Sequence, residues 1–200
     1  MENGFVDLKP GTLLAPVPAV MVSCARKGEK PNIVTLAWVG TVNSEPPMCS
    51  ISVRKERFSH GIIRDSGEFV INLVGEDQLR ATDYCGVKSG RDVDKFSACG
   101  LAPVKIDGFS APAIGECPLY LACRVRSVQE LGSHDLFLGE IEKVGVKPDC
   151  MDETGRLDFG KMKLVAYNHG VYYALGGALG FFGYSVAAPD VLERRMADLR

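Results

Sequence analysis

The chain has 200 residues, of which 46% are hydrophobic and 24% charged, with a formal net charge of −2 and a pI near 5.9. This length predicts one domain, spanning 1–200, with a substantial core. The nearly balanced charge gives no reason to expect nucleic acid or an anionic membrane as partner, and no segment is long and apolar enough to cross a bilayer.

The cysteines form an odd set of seven with no C-x-x-C pair. The spacing of Cys117 and Cys123 matches neither a zinc site nor a thioredoxin-type motif, so no metal site is predicted. Most of the seven have apolar neighbours, where a free thiol behaves as a small buried hydrophobe. We therefore expect reduced thiols in a cytoplasmic protein and no disulfide framework.

The N-terminal part contains an apolar run, residues 13–25, that has some features of a signal segment. Acidic Glu2 and Asp7 stand where a signal peptide carries positive charge, and Pro16 and Pro18 interrupt the run. The first strand is therefore predicted at residues 19–25, after a proline-rich lead-in.

The stretch 31–66 carries the clearest pattern. A β-branched segment over 32–42 is followed by a turn at Pro46-Pro47, and in 48–54 apolar and polar residues alternate. This period places Cys49, Ile51 and Val53 on one face of a strand and Ser50, Ser52 and Arg54 on the other. The polar face is therefore predicted to bind an anionic group.

Further positive charge follows this strand. Lys55 and Arg57 are succeeded by Ser59, which is placed to cap a short helix over 60–66 that Gly67 closes. A helix N-terminus beside arginine is a phosphate site in many proteins. A basic turn on an ordinary surface remains the alternative.

The middle of the chain mixes a strand with two helices. A strand is predicted at 68–74, a helix at 76–85 stopped by Gly86, and a second helix at 93–99 capped by Asp92 and ended by Gly100. The Lys88-Ser89 pair lacks the glycine spacing of a nucleotide-binding P-loop, so that assignment is rejected.

The second half is predicted to be rich in strands. Residues 118–128 and 136–146 form a hairpin around a turn at 132–135, a strand region covers 163–175, and a docking helix covers 189–200. The glycines at 176–183 do not follow the dinucleotide-binding fingerprint. Regular alternation of strands and helices is missing, so a small antiparallel barrel with short helices is predicted.

Several motifs together resemble a known family. They are the segments Asn32–Trp38, Pro46-Pro47, Ser52–Arg54, Ser59 and Glu68–Leu73, followed by Asp83–Gly86, Ser89–Phe96 and Gly132–Asp135. In this order they resemble the flavin reductase-like FMN-binding split barrels, and the later ones resemble the flavoredoxin-like branch. The resemblance spans residues 10–184, which leaves 1–10 and 186–200 as peripheral segments.

The resemblance implies a mainly β fold, a six-stranded antiparallel Greek-key split barrel, that forms a homodimer and binds FMN, with FAD as the lesser alternative. It also implies a set of cofactor-binding residues. They are Asn32, Thr35, Leu36, Ala37, Trp38, Ser52, Arg54, Arg57, Ser59, Lys88, Lys95 and Phe96. Within this set, Arg54, Ser52, Ser59 and Lys95 are the phosphate candidates, and Arg57 and Lys88 rank below them as surface charges.

Three side chains have two readings each. Trp38, the one tryptophan of the chain, is expected either as the apolar wall of a flavin site or as part of the core. His134 is expected either beside the reactive face of the flavin, as the catalytic candidate, or as an exposed turn residue. His169 is read as a hydrogen-bonded core or interface residue.

Three functions follow from the resemblance. The first is a reductase in which NADH or NADPH passes a hydride to flavin N5, which requires close stacking rather than a general base. The second is a flavoredoxin-like electron carrier that holds FMN permanently and exchanges electrons with a redox protein partner. The third is a flavin-binding module without turnover.

Overall fold

The computed structural model describes residues 4–199. The first residues of the predicted peripheral segment 1–10, with Glu2, and Arg200 of the predicted C-terminal helix therefore lie outside the described part. The strands are β1 Val17–Pro18, β2 Val20–Cys24, β3 Asn32–Leu36, β4 Val39–Ser44, β5 Pro47–Arg54, β6 Glu68–Leu73, β7 Pro103–Val104, β8 Ala113–Ile114, β9 Leu119–Glu130, β10 His134–Val146, β11 Val165–Asn168 and β12 Val171–Ala174. The α-helices are α1 Phe58–Ser66, α2 Leu79–Val87, α3 Lys95–Cys99 and α4 Pro189–Ala197, with 3-10 turns at Glu76–Gln78, Pro148–Cys150 and Tyr184–Val186.

The main sheet has seven antiparallel strands in the order β3-β2-β6-β9-β10-β5-β4. Its two edges, β3 and β4, are separated in the chain only by Ala37 and Trp38. The backbone N–H of Ser52 donates to the Trp38 carbonyl at 2.9 Å, so the bend carries the chain from one edge to the other and closes a barrel. The predicted mainly β split barrel is confirmed. Its main sheet contains seven strands, where the resemblance implied six, and the β-branched segment 32–42 contributes two of them, β3 and β4.

The barrel interior is filled as the alternation in β5 predicts. Cys49, Ile51 and Val53 are buried, and they pack with Phe69 and Phe137 in the largest core cluster. The serines and Arg54 face outward, which confirms the two predicted faces. All seven cysteines are free thiols, and six of them are buried, as the apolar neighbours indicated.

The predicted hairpin is also confirmed, with β9 paired to β10 and β10 paired in turn to β5. Gly139 of β10 is required by this packing. A Cβ there would lie 2.6 Å from the ring of Phe69 and 3.1 Å from Cys123 Cβ. The hairpin also places His134, the first residue of β10, opposite Arg54, the last residue of β5.

The helix boundaries correct three details. Helix α1 begins at Phe58 with Arg57 as its cap residue, so Ser59 is not the cap that was predicted, although Gly67 does end the helix in the left-handed conformation. Helix α2 runs through Gly86 to Val87. The cap of α3 is Asp94, whose Oδ1 accepts the Ser97 N–H at 3.2 Å, and not Asp92.

A second sheet, β1-β11-β12, lies beside the barrel and includes the predicted strand region, which folds as a hairpin around His169 and Gly170. Helix α4 forms as predicted but contains no buried residue. Among residues 4–199, no helix combines the length and the apolar character that crossing a membrane requires.

Candidate functional site

Three adjoining clefts meet at Arg57, and most of the predicted site residues line them. The Trp38 cleft, of about 370 Å³, is lined by Thr12, Leu14, Val17, Thr35, Leu36, Trp38, Ser52, Arg54, Arg57, His134, Tyr167 and His169. The Ser59 cleft, of about 230 Å³, is lined by Asn32, Val34, Glu56, Arg57, Phe58, Ser59, Val87, Lys88, Ser89, Gly90, Arg91 and Lys95. The Tyr172 cleft, of about 260 Å³, is lined by Ala19, Thr35, Ala37, Arg57, Asp83, Gly86, Val87, Tyr167 and Tyr172.

The Trp38 cleft forms where the barrel closes. The bend between β3 and β4 leaves the indole of Trp38 46% exposed, so the alternative of Trp38 as a core residue is wrong. Its ring centroid lies 4.7 Å from that of His134 at an interplanar angle of 36°. Ser52 and Arg54, from the face of β5 that was predicted to bind an anion, line the same cleft. A flat aromatic wall and polar side chains therefore face one space.

His134 is half-buried in strand β10, which argues against its reading as an exposed turn residue. One ring nitrogen, Nδ1, lies 2.9 Å from Ser133 Oγ. Burial lowers the pKa of His134 below its ordinary value, and the charge of Arg54 lowers it further. The imidazole is therefore neutral at pH 7, with Nε2 left to contact a ligand.

The Ser59 cleft is built on the N-terminus of α1. The side-chain amide of Asn32 donates to Ser59 Oγ at 2.8 Å, and both residues are buried. Ser59 is the second residue of α1, and this bond ties it to the start of β3. Because the first turn of an α-helix has backbone N–H groups without partners within the helix, this end of the cleft favours an anion.

Lys95 forms the floor of the Ser59 cleft and is 3% exposed. Its ammonium donates to the carbonyl oxygens of Ile33 and Cys85, each at 2.7 Å, which ties β3 to α2. Burial lowers the pKa of Lys95, and the neighbouring charge of Arg57 contributes to the decrease. An ammonium has three donors, so one proton remains for a ligand.

Arg57 is the central cation, because it lines all three clefts. One guanidinium nitrogen, Nη1, donates to the Gly86 carbonyl at 2.9 Å, which fixes the side chain against α2. Arg54 instead lies 3.2 Å from Glu56 Oε1 and is 55% exposed. Both arginines are exposed, but Arg57 is the cap residue of α1 and is held against α2, whereas Arg54 is paired with an acidic side chain. The predicted ranking of the two as phosphate ligands stays a prediction.

The Tyr172 cleft was not predicted. The rings of Tyr167 and Tyr172 are 5.2 Å apart, and the Tyr172 hydroxyl donates to Asp83 at 3.4 Å. Burial, together with the nearby Asp83 carboxylate, raises the pKa of Tyr172 to about 12. The sequence signal for this cleft is the aromatic density of residues 167–173, which the periodicity of β11 and β12 alone could not orient.

Most predicted site residues are brought together, but they divide between the clefts. Phe96 is the exception, since it is buried in the core cluster that includes Val74 and Cys85. His169, at φ 44° in the turn after β11, lines the Trp38 cleft and is exposed, so it is not a core residue. Sequence reasoning missed Gly90 and Arg91, although both lie within the motif at 89–96.

Comparison with known proteins points to one family. The family profile described as "Flavin reductase like domain" matches residues 14–176. A solved structure of flavoredoxin from Desulfovibrio vulgaris (Miyazaki F) is 32% identical, with a TM-score of 0.83, covering 88% of this chain and 96% of that one. The match thus includes nearly the whole solved chain.

Two curated relatives match over shorter segments. A protein of Archaeoglobus fulgidus is 34% identical over 56% of this chain and 64% of its own length. The NADH:riboflavin 5'-phosphate oxidoreductase of Streptomyces pristinaespiralis is 25% identical over 61% of this chain and 66% of its own length. The chain therefore spans slightly less than two thirds of the length of each.

Proposed function

The chain belongs to the flavin reductase-like domain family, and we propose that it binds FMN across the Trp38 and Ser59 clefts and reduces it with a hydride from NADH or NADPH. The observation that carries this proposal is the continuity of the two clefts through Arg57. An aromatic-walled space next to a cationic helix terminus matches a flat ring system with a phosphate tail.

The ring system is assigned to the Trp38 cleft. Its volume of about 370 Å³ lies within the range of small-molecule sites. Trp38 and Leu36 would provide an apolar wall for the ring. Thr35, and the backbone near Ala37 in the adjoining Tyr172 cleft, would face its hydrogen-bonding edge. The Thr35 hydroxyl is itself bonded to the Thr82 carbonyl, which fixes its orientation.

The phosphate is assigned to the Ser59 cleft, where Arg57, Lys88, Arg91 and Lys95 outnumber the single acid Glu56. Beyond this cleft lies a space lined by three carboxylates, those of Glu29, Asp92 and Asp94, and by two cations, Lys30 and Arg91, so negative charges outnumber positive ones there by one, the reverse of the Ser59 cleft. A second phosphate would meet these negative charges. This arrangement favours FMN over FAD.

When bound, the flavin would supply the hydride-accepting centre. The protein has to hold the ring and leave one of its faces open to nicotinamide. It also has to keep an additional positive charge away from that face. Trp38 and Leu36 would hold the ring, and neutral His134 would present Nε2 to it or to the nicotinamide. The Tyr172 cleft adjoins the ring space through Thr35 and Tyr167 and is the proposed approach for the donor.

A second candidate is an electron carrier that keeps its FMN and exchanges electrons with a redox protein. The 32% identity to a flavoredoxin over 88% of this chain favours it. The matched relative named as an NADH:riboflavin 5'-phosphate oxidoreductase supports the reductase. The two proposals share the flavin site and differ in the electron donor.

We further propose that the protein is a homodimer in the cytoplasm. Leu179, Phe182 and Val186 are 92%, 104% and 87% exposed, which is unusual for large apolar side chains of a monomer. A second copy would cover this segment. The seven free cysteines favour a reducing compartment. Sedimentation equilibrium tests the dimer, and a mass equal to one chain at micromolar concentration would contradict it.

The activity is tested by loading the protein with FMN and adding NADH or NADPH without oxygen. The reductase predicts that the bound-flavin absorbance bleaches with one or both nucleotides. A bound-flavin absorbance that neither nucleotide changes but that dithionite bleaches supports the electron carrier. A protein that takes up no FMN contradicts both.

A further inference from the structure

A buried carboxylate lies directly beside the proposed site and is not part of it. Asp135 is fully buried, and its Oδ2 lies 2.8 Å from Nε2 of His60. Lys55 Nζ approaches Oδ1 at 3.3 Å, and Arg64 Nη1 approaches Oδ2 at 3.7 Å. Burial alone would raise the pKa of Asp135, but the hydrogen bond from His60 and the ion pair with Lys55 outweigh it and lower the pKa. The carboxylate is therefore charged and anchored.

The two partners belong to the elements that carry the two ends of the site. Side chains alternate along a strand, so Asp135 faces away from the cleft that His134 lines. His60 follows Ser59 on helix α1, and its ring meets the edge of Phe137 at 5.4 Å. The bond thus joins the start of β10 to the first turn of α1.

We infer that the Asp135–His60 pair positions the Ser59 cleft relative to the Trp38 cleft, so that one FMN molecule reaches both. This inference rests on the proposed function. FMN has two anchors, its ring and its phosphate, and the second anchor contributes fully only where the spacing of the two sites is fixed. Riboflavin has the same ring without the phosphate, so its affinity does not depend on that spacing.

This difference separates positioning from general stability. A loss of packing weakens the binding of both flavins together, whereas a loss of positioning weakens FMN more than riboflavin. The ratio of the two affinities is therefore the readout.

The variants are chosen to change the pair in steps. His60→Phe keeps an aromatic ring near Phe137 and removes the donor to Asp135. His60→Gln keeps a donor and is the conservative rescue. Glu130→Gln is the matched control, because Glu130 pairs with the same Lys55 at 3.1 Å and Arg64 at 3.7 Å without contacting His60.

Dissociation constants for FMN and riboflavin are measured by titration of each full-length protein. We expect His60→Phe to lower the affinity ratio of FMN to riboflavin about tenfold, which corresponds to about 1.4 kcal/mol. His60→Gln and Glu130→Gln should keep the wild-type ratio. Where His60→Phe does not fold, Asp135→Asn, which removes the anchoring charge, should shift the ratio in the same direction.

An unchanged ratio in the folded variants would overturn the inference and leave the pair as a packing feature. A wild-type protein that binds both flavins, with variants that lose both equally, would overturn it as well while leaving the proposed function intact. A wild-type protein that binds neither flavin would instead contradict the proposed function, and the inference with it.

Discussion

Gly90 lies so close to Asn32 that the structure has no room for a side chain at this position. A Cβ on Gly90 would overlap Asn32 Oδ1 and lie 2.5 Å from Asn32 Cγ and 2.8 Å from Nδ2. The φ angle of Gly90 is outside the left-handed region, so alanine suits the backbone and the conflict is with the side chain alone. Asn32 is 5% exposed and bonded to Ser59, so it has little space to yield.

The expected cost of Gly90→Ala has two parts. Overpacking of a filled space costs about 1–3 kcal/mol. Displacing Asn32 also breaks its hydrogen bond to Ser59, which contributes about 0.5–1.5 kcal/mol. We therefore expect the free energy of unfolding to fall by about 1.5–4.5 kcal/mol. FMN affinity should fall as well, because both Asn32 and Ser59 line the cleft assigned to the phosphate.

The assay is urea unfolding followed by circular dichroism. Gly176→Ala is the matched control, because a Cβ there meets no atom within 4 Å, and its change should stay within about 0.5 kcal/mol. In the double variant Asn32→Ala/Gly90→Ala the overlap is removed, so the loss should be smaller than the sum of the single losses. Equal stability of the two glycine variants, or strict additivity in the double variant, would refute the reasoning.

Arg57→Ala should weaken FMN binding by about 1.5–3 kcal/mol, the scale of a charged hydrogen bond. Arg54→Ala should cost less than about 1 kcal/mol, since Arg54 is largely exposed and paired with Glu56; calorimetry that reverses this order would return the phosphate to Arg54. His134→Ala should slow anaerobic flavin reduction by NADH or NADPH more than it changes FMN affinity, and equal rates would remove His134 from the reaction. Because burial and the charge of Arg54 lower the pKa of His134, wild-type reduction should not change between neutral and mildly alkaline pH. It should decline only at acidic pH, where protonation places a cation beside Arg54. A rate that already falls as the pH is lowered from alkaline to neutral would contradict a neutral His134.

Part of this architecture follows from local patterns. The period of two in β5 was sufficient to assign its buried and outward faces, because strand side chains alternate whatever the partner strand. Gly67 and Gly100 were found as helix ends because left-handed backbone favours glycine. The buried, reduced state of the cysteines also followed from their apolar neighbours.

The remaining features depend on contacts between distant parts of the chain. Serine is a preferred helix cap, but α1 begins one residue before Ser59, whose hydroxyl instead accepts a bond from Asn32, 27 positions earlier. The contact of Arg54 with Glu56 and that of Arg57 with the Gly86 carbonyl, on which their proposed roles depend, could not be predicted from sequence spacing. Phe96 lies next to Lys95 in the motif, yet the short helix turns its ring into the core.

The proposal that FMN lies against Trp38 can be tested directly because the chain has one tryptophan. The measurement is the emission of Trp38 during titration of the flavin-free protein with FMN, corrected for absorption by the added flavin. We expect strong quenching that saturates at one FMN per chain. FMN that binds to saturation while the emission of Trp38 stays unchanged would contradict the proposal.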